Sequence, residues 1–185
     1  MSDYKINTNY AKALFLLASD MQQLDAVMSD MRLVNEVCRE NRELGVVFNN
    51  PVIPEGKKVA ILDDLFASHL SQLSMAFMHF VVKKRRAINL RGISNAYMEM
   101  HRNANNVILT DLVTAVEADE ESKAEVTRLV AEYTGKNVEL QSRTDDKMLG
   151  GFCMRFDNNM YDARIRTKIM KLRQEFEKNI YESKL

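Results

Sequence analysis

The stretch KMLGGFCMRFDNNMYDARIRTKIMKLRQ, residues 147–174, joins two adjacent glycines to an alternating apolar run and then to a basic amphipathic segment. Large apolar residues occupy every second position of residues 152–156, which is the period of a β-strand. The pair Gly150–Gly151 stands directly before that strand. It is therefore either a phosphate-binding loop of an enzyme or the start of a strand in a protein that performs no chemistry.

The residues that follow the glycine pair do not fit a phosphate-binding loop. Such a loop requires G-x-x-x-x-G-K-[ST], in which the lysine contacts the phosphates and the hydroxyl holds magnesium. Gly151 is followed by Phe152, Cys153 and Met154, and a dinucleotide fingerprint would need three spaced glycines between a strand and a helix. We therefore predict that Gly150 and Gly151 are structural and adopt backbone torsions that other residues avoid.

Other patterns typical of catalytic or metal sites do not occur either. His69, His79 and His101 lack the spacing of metal ligands on one helix face. The acid pairs Asp63–Asp64 and Asp145–Asp146 suit solvated helix starts and turns, and no serine or cysteine lies in a nucleophile elbow. We therefore predict no catalytic residues, no metal and no cofactor.

Composition narrows the class of protein further. Of the 185 residues 46% are apolar, and 26 Lys and Arg balance 26 Asp and Glu, so no net charge favours nucleic acid or acidic lipid. Cys38 and Cys153 are far apart, which favours free thiols in a reducing compartment. The first 20 residues do not resemble a signal or transit peptide, and no apolar run approaches the ~18 residues of a membrane span.

Periodicity changes once along the chain, near Asn106. From Thr8 onward the pattern is helical, with Asn7 or Thr8 as the first cap and both prolines in the turn at residues 49–58. Residues 107–118 are rich in β-branched side chains and predict a strand. We predict a mostly α protein, in which a six-helix bundle over residues 1–106 precedes a small β-α-β-β-α domain over residues 107–185.

Two helices of the predicted bundle carry more apolar surface than one buried face requires. A surface helix needs a single apolar stripe ~100° wide, whereas the helices at residues 8–19 and 71–82 each have two. Both helices are either fully buried or line a groove for an amphipathic partner helix. The stripes of the first helix are Ala11, Phe15 and Ala18, and Tyr10, Leu14 and Leu17; those of the second are Leu73, Phe77 and Phe80, and Met75, Met78 and Val82.

Two clusters of basic residues have ordinary explanations as well as functional ones. Lys83–Arg86 ends a helix, where cations compensate the helix dipole. The last predicted helix carries cations against few acids, which fits either a solvated face or docking onto an acidic helix. Its basic residues are Arg164, Arg166, Lys168, Lys171 and Arg173.

Four segments in order resemble the family of ATP synthase delta subunits, whose mitochondrial counterpart is the oligomycin-sensitivity-conferring protein. They are YAKALF (residues 10–15), NPVIPEGKK (50–58), VKKRRAINLRGISNAYMEM (82–100) and the stretch DDKMLGGFCMRFDNNMYDARIRTKIMKLRQ (145–174). The last resembles the family's C-terminal signature of a glycine pair, a strand, an aspartate (Asp162) and a basic helix start. Arg164 departs from the small hydroxyl residue usual there, and Lys84 from a common asparagine.

The resemblance implies a non-catalytic subunit of the peripheral stalk, or stator, of a rotary proton-translocating ATP synthase. The helical domain would bind the N-terminal helix of an alpha subunit between its first and fifth helices, and the C-terminal domain would bind b-type stalk subunits. This implies a peripheral protein on the cytoplasmic face of the bacterial inner membrane. The implied alpha-facing residues are Tyr10, Ala13, Leu14, Leu17, Met75, Met78 and Val82; the implied stalk-facing residues are Arg164, Arg166, Lys168, Ile169 and Leu172; Gly150, Gly151 and Asp162 are structural.

Two other functions remain open from the residues alone. The basic C-terminal helix could serve a nucleic-acid-binding adaptor, although neutral net charge and the absence of an aromatic RNA-binding strand motif disfavour this. A catalytic domain with an unrecognised site is the other, and a bound metal or nucleotide would support it.

Overall fold

The chain divides into two compact units, one ending at Ala104 and the other beginning at Asn105. In the computed structural model, residues 3–179 are described, and each unit contains its own hydrophobic core. The predicted boundary, at residue 106, lies two residues after the observed one. It coincides with the change of period in the sequence.

The N-terminal unit is helical throughout its described part. Its elements are α1 (Asp3–Asp20), α2 (Leu24–Glu40), α3 (Arg42–Asn49), α4 (Glu55–Phe66), α5 (Gln72–Lys83), a 3-10 helix (Ala87–Asn89) and α6 (Leu90–Ala104). The prediction that α1 is capped by Asn7 or Thr8 is wrong, because the helix begins one turn earlier, at Asp3. The Thr8 hydroxyl donates to the carbonyl of Tyr4 inside the helix (2.9 Å).

The core of this unit lies where α6 packs against both α1 and α2. Tyr97 of α6 is buried there, its ring 5.8 Å from that of Phe15 and its hydroxyl donating to the Leu24 carbonyl at 3.2 Å. Asp30 of α2, also buried, accepts bonds from the backbone N–H (3.1 Å) and hydroxyl (2.6 Å) of Ser71, which caps α5. These contacts fix α2 and α5 against each other because they give the buried Asp30 carboxylate its hydrogen-bond partners.

The C-terminal unit is a four-stranded sheet with helices. Its elements are β1 (Val107–Thr114), α7 (Glu120–Thr134), β2 (Asn137–Thr144), β3 (Phe152–Phe156), β4 (Asn159–Asp162) and α8 (Ile165–Asn179). The strand order is β2-β1-β3-β4, with β1 parallel to β2 and the other pairs antiparallel. Asp119 caps α7, and Gly135, with φ +68°, ends it.

The predicted β-α-β-β-α order is wrong in one respect, because the return after β3 is itself a strand. Asp157 adopts a φ of +52° and, with the next residue, turns the chain so that β4 pairs with β3. The four-residue β4 is too short to show a clear alternation in the sequence. The core of the unit consists of Ile108, Leu112, Val130, Met154 and Phe156.

The glycine pair sets the path from the sheet into α8. Gly150 and Gly151 have φ values of +149° and +84°, and the Gly150 carbonyl accepts a bond from the N–H of Ile165 at 3.1 Å. A Cβ on Gly151 would lie 2.4 Å from the Ala163 carbonyl oxygen, and one on Gly150 would lie 2.6 Å from the Ile165 side chain. At Gly151 a side chain would clash with backbone atoms as well as strain the backbone. At Gly150 the end of the Ile165 side chain can move away, and the positive φ is what favours glycine.

Candidate protein-binding surfaces

The predicted partner-facing stripe of α1 is split between the core and the surface. Leu14 is 0% exposed and belongs to the core. Leu17 is 46% exposed, Ala13 is exposed, and Tyr10 is half-buried. Three of the four predicted residues of α1 therefore offer surface to a partner, and Leu14 does not.

The predicted stripe of α5 is mostly interior. Met78 and Val82 are each 1% exposed and pack in the core, while Met75 is half-buried. The structure thereby corrects the assignment of Leu14, Met78 and Val82 to an outward surface: all three fill the helical core.

The neighbours of α5 decide which of its flanks adjoins α1. The ring of Phe80 lies 6.2 Å from that of Tyr10 in α1. On the other flank, His79 Nε2 lies 2.7 Å from Asp63 Oδ1 of α4, and Met75 is one helical turn before His79. The flank of α5 beside α1 is thus its other apolar stripe, of which Phe80 is 48% exposed.

We call the resulting apolar patch the α1–α5 surface. The Lys84 ammonium lies 5.5 Å from the centroid of the Phe80 ring, a cation–π geometry that places a positive charge at the end of the patch. The surface consists of Tyr10, Ala13 and Leu17 of α1 with Leu73, Phe77 and Phe80 of α5. The sequence contains this second stripe, but periodicity alone does not say which flank meets α1.

The second apolar surface lies on α8 and is more exposed. We call it the α8 face: Ile165, Ile169, Leu172 and Phe176, which are all exposed and fall on one side of the helix. Two of the predicted stalk-facing residues, Ile169 and Leu172, belong to it. Helical geometry places Arg166 and Lys168 on opposite sides of this face, so that an apolar strip is bordered by positive charge.

Arg164 has a different position from the other predicted stalk-facing residues. Its backbone N–H and its Nε donate to Asp162 Oδ1 at 3.0 and 2.9 Å, and the Thr167 hydroxyl donates to Asp162 Oδ2 at 3.0 Å. The hydrogen bonds from Arg164 hold the pKa of the Asp162 carboxyl well below its usual range. Arg164 and Asp162 together fix the turn between β4 and α8, so this departure from the family pattern serves to position the helix.

Groups that could form a metal site are dispersed among the described residues. Within residues 3–179 no three His, Cys, Asp or Glu side chains come together as metal ligands. His79 Nε2 lies 2.7 Å from Asp63 Oδ1, and His101 Nε2 lies 2.9 Å from Asp25 Oδ1. No helix among the described residues is long and apolar enough to cross a membrane.

Each of the two units carries an exposed apolar helix face, a feature typical of surfaces that bind other proteins. The sequence profile of the ATP synthase delta (OSCP) subunit family matches residues 6–176. The chain therefore belongs to that family, as its motifs predict.

Individual relatives agree over nearly the whole length. The ATP synthase subunit delta of Cytophaga hutchinsonii is 28% identical over 97% of this chain and 98% of its own. That of Chlorobium luteolum is 30% identical over 94% of this chain and 96% of its own. A chain in the structure of the Toxoplasma gondii mitochondrial ATP synthase hexamer superimposes with a TM-score of 0.72 at 18% identity, over 92% of this chain and 96% of that one, and so shares the fold.

Proposed function

We propose that this protein is a non-catalytic peripheral-stalk subunit of a rotary ATP synthase, which links the catalytic head to the b-type stalk subunits. The observation that carries this proposal is the presence of one exposed apolar helix face on each unit of the fold. Two units with separate cores can each hold one partner, which is what a link between two parts of a machine requires. A chain that holds the head in this way prevents the head from turning with the rotor.

The α1–α5 surface is the proposed site for the N-terminal helix of an alpha subunit. A helix that buries ~600 Å² of apolar area would gain roughly 15 kcal/mol at ~25 cal/mol/Å². Lost translational and conformational freedom offsets much of that gain, so the remainder suits a reversible but stable contact. The aromatic rings of Phe77 and Phe80 supply the type of side chain that dominates binding energy at such surfaces.

The α8 face is the proposed site for the b-type stalk subunits. A partner helix would place its own apolar residues on Ile169 and Leu172. The cations of Arg166 and Lys168 would then lie beside acids at the partner's polar margin, which favours orientation and association rate. On this proposal the protein is peripheral to the cytoplasmic face of a bacterial inner membrane.

The first experiment measures binding of the full chain to a synthetic peptide of the cognate alpha subunit's N-terminal helix by calorimetry. Leu17→Asp and Phe80→Asp place a charge on the α1–α5 surface, and we expect each to weaken binding at least tenfold while circular dichroism stays unchanged. Val46→Asp alters a more exposed residue of α3 (70%) and serves as the matched control. Unchanged affinity in both surface variants would refute the assignment of this surface.

The second experiment uses a soluble C-terminal segment of the cognate b-type subunit. We expect Ile169→Asp and Leu172→Asp to abolish its co-elution with the full chain. Leu149→Asp, a change at another exposed apolar residue of the same unit, should leave co-elution intact. If all three variants co-elute like the unaltered protein, the stalk subunits bind elsewhere.

A further inference from the structure

A small pocket in the N-terminal unit collects positive charge. It has a volume of about 250 Å³ and lies where the end of α2 and the start of α3 meet the 3-10 helix and the start of α6. No aspartate or glutamate is among the residues that line it in the described chain. The residues that define it are Cys38, Arg39, Arg42, Phe48, Ile88 and Arg91.

The three arginines of this pocket are not neutralised by the protein. Arg39 makes one long contact, 3.7 Å to Glu36, and both side chains are more than half exposed, so the pair is weak. Arg42 and Arg91 form no ion pair with any residue between 3 and 179. All three side chains are exposed, so water and salt screen their mutual repulsion, and an anion bound between them would remove what remains of it.

A comparable pocket in the C-terminal unit shows how the protein neutralises such a cluster elsewhere. That pocket, about 220 Å³, is also lined by three arginines and a cysteine, Cys153, but Asp111 and Asp145 lie in its wall. One of its arginines, Arg164, is paired with Asp162. Of the two pockets, only the one that contains Cys38 has no acid in its lining. An external anion would supply the negative charge that Asp111 and Asp145 supply in the other pocket.

The backbone adds to the positive potential. The α3 helix begins at Arg42, on the wall of the pocket, and the side chain of the preceding Asn41 donates to the carbonyl of Val37 at 3.0 Å. Asn41 therefore does not cap the first N–H groups of α3. Uncapped N–H groups at a helix start favour a negative charge nearby.

We propose that this pocket binds a phosphate-sized oxyanion through the guanidinium groups of Arg39, Arg42 and Arg91. A planar guanidinium can donate two parallel N–H bonds to one oxyanion, which makes arginine the preferred residue for such ligands. The terminal phosphate of a nucleotide has the same chemistry, but a volume of about 250 Å³ suits the free anion. This inference goes beyond the proposed stalk function and does not depend on either partner surface.

Cys38 provides a reporter inside the pocket. Burial raises the pKa of its thiol, and the charge of Arg91 opposes that rise. An anion bound to Arg91 would cancel the opposing effect and leave less reactive thiolate at a given pH. Cys153 lies in the other arginine pocket of the same molecule and serves as an internal reference.

The test titrates the full chain with inorganic phosphate that replaces sodium chloride at constant ionic strength. Binding is measured by phosphorus NMR line widths, and its location by the rate at which neutral iodoacetamide alkylates each cysteine, followed by peptide mass spectrometry. We expect saturable binding, a fall of about threefold in the Cys38 rate and an unchanged Cys153 rate, since about threefold corresponds to a pKa rise of about half a unit. If the line width and the alkylation rates changed linearly with phosphate concentration, or if both cysteines slowed equally, the effect would be general charge screening and the proposal would be overturned.

Three variants and one alternative ligand sharpen the result. Arg42→Gln and Arg91→Gln should each weaken phosphate binding about tenfold, because each removes a charged hydrogen-bond donor. Arg128→Gln, which removes an exposed charge from α7, is the control and should bind like the unaltered protein. An equal loss in the Arg128 variant would refute a specific site, and ATP binding more than tenfold tighter than phosphate would refute the free anion as the ligand.

Discussion

Replacing Gly151 by alanine should destabilise the C-terminal unit and with it the path of the chain into α8. The new Cβ would lie 2.4 Å from the Ala163 carbonyl oxygen and 3.1 Å from the Arg164 Cα. Both are backbone atoms, so no side chain can rotate away. The Ala163 N–H is held by the Phe152 carbonyl at 2.9 Å, which means that relief of the clash would disturb the pairing next to β3.

The size of the effect follows from two contributions. A φ of +84° costs an alanine about 1–2 kcal/mol by itself. The required backbone shift adds to this, and we expect a total of about 3–5 kcal/mol, in the range of severe core defects. A unit of about 80 residues has a stability of roughly 4–12 kcal/mol at ~0.05–0.15 kcal/mol per residue, so the variant should approach unfolding of this unit.

The Gly135→Ala variant separates the cost of backbone strain from the cost of a steric clash. Gly135 also has a positive φ, +68°, but a Cβ there would meet no atom within 4 Å. The Gly135→Ala substitution should lower the free energy of unfolding by only about 1 kcal/mol. The assay is urea unfolding with hydrogen exchange followed on peptides from β3, so that the two units are observed separately. Equal stability of the Gly135 and Gly151 variants would refute the argument that close backbone contact is the reason for glycine.

Three further effects follow from burial and protonation, each measured by urea unfolding. Leu14→Ala should cost about 3 kcal/mol because its side chain is fully buried, whereas Leu17→Ala should cost less than about 1 kcal/mol. The Asp162 carboxyl has a pKa below its ordinary 3.8. The stability that it contributes is therefore complete above about pH 4 and is lost as the pH falls. Asp162→Asn should reduce the slope of the unfolding free energy against pH in this range by up to about one proton. Burial, with nearby carboxylates, raises the pKa of Tyr97 to about 12, so stability should fall as the pH rises from about 10 to 12, and Tyr97→Phe should remove this fall.

Most of the fold could be predicted because its signals are local. The division of the chain follows a change of period near Asn106, and Ser71, Asp119 and Gly135 bound helices in the way their side chains or torsions dictate. The start of α1 and the strand β4 could not be predicted in this way. β4 exists because a turn at Asp157 brings four residues back along β3, which is a tertiary pairing with little pattern of its own.

The exposed apolar surfaces were only partly predictable, and α5 shows why. Both of its stripes consist of large apolar residues, so periodicity identifies both and ranks neither. Position relative to α1 and α4 decides between them, and this position is visible in the Tyr10–Phe80 and Asp63–His79 contacts. On α8 the sequence suffices, because there a single apolar stripe is flanked by cations and no second stripe competes for the core. A surface can thus be predicted from sequence where a helix has one apolar face, and it needs the packed structure where a helix has two.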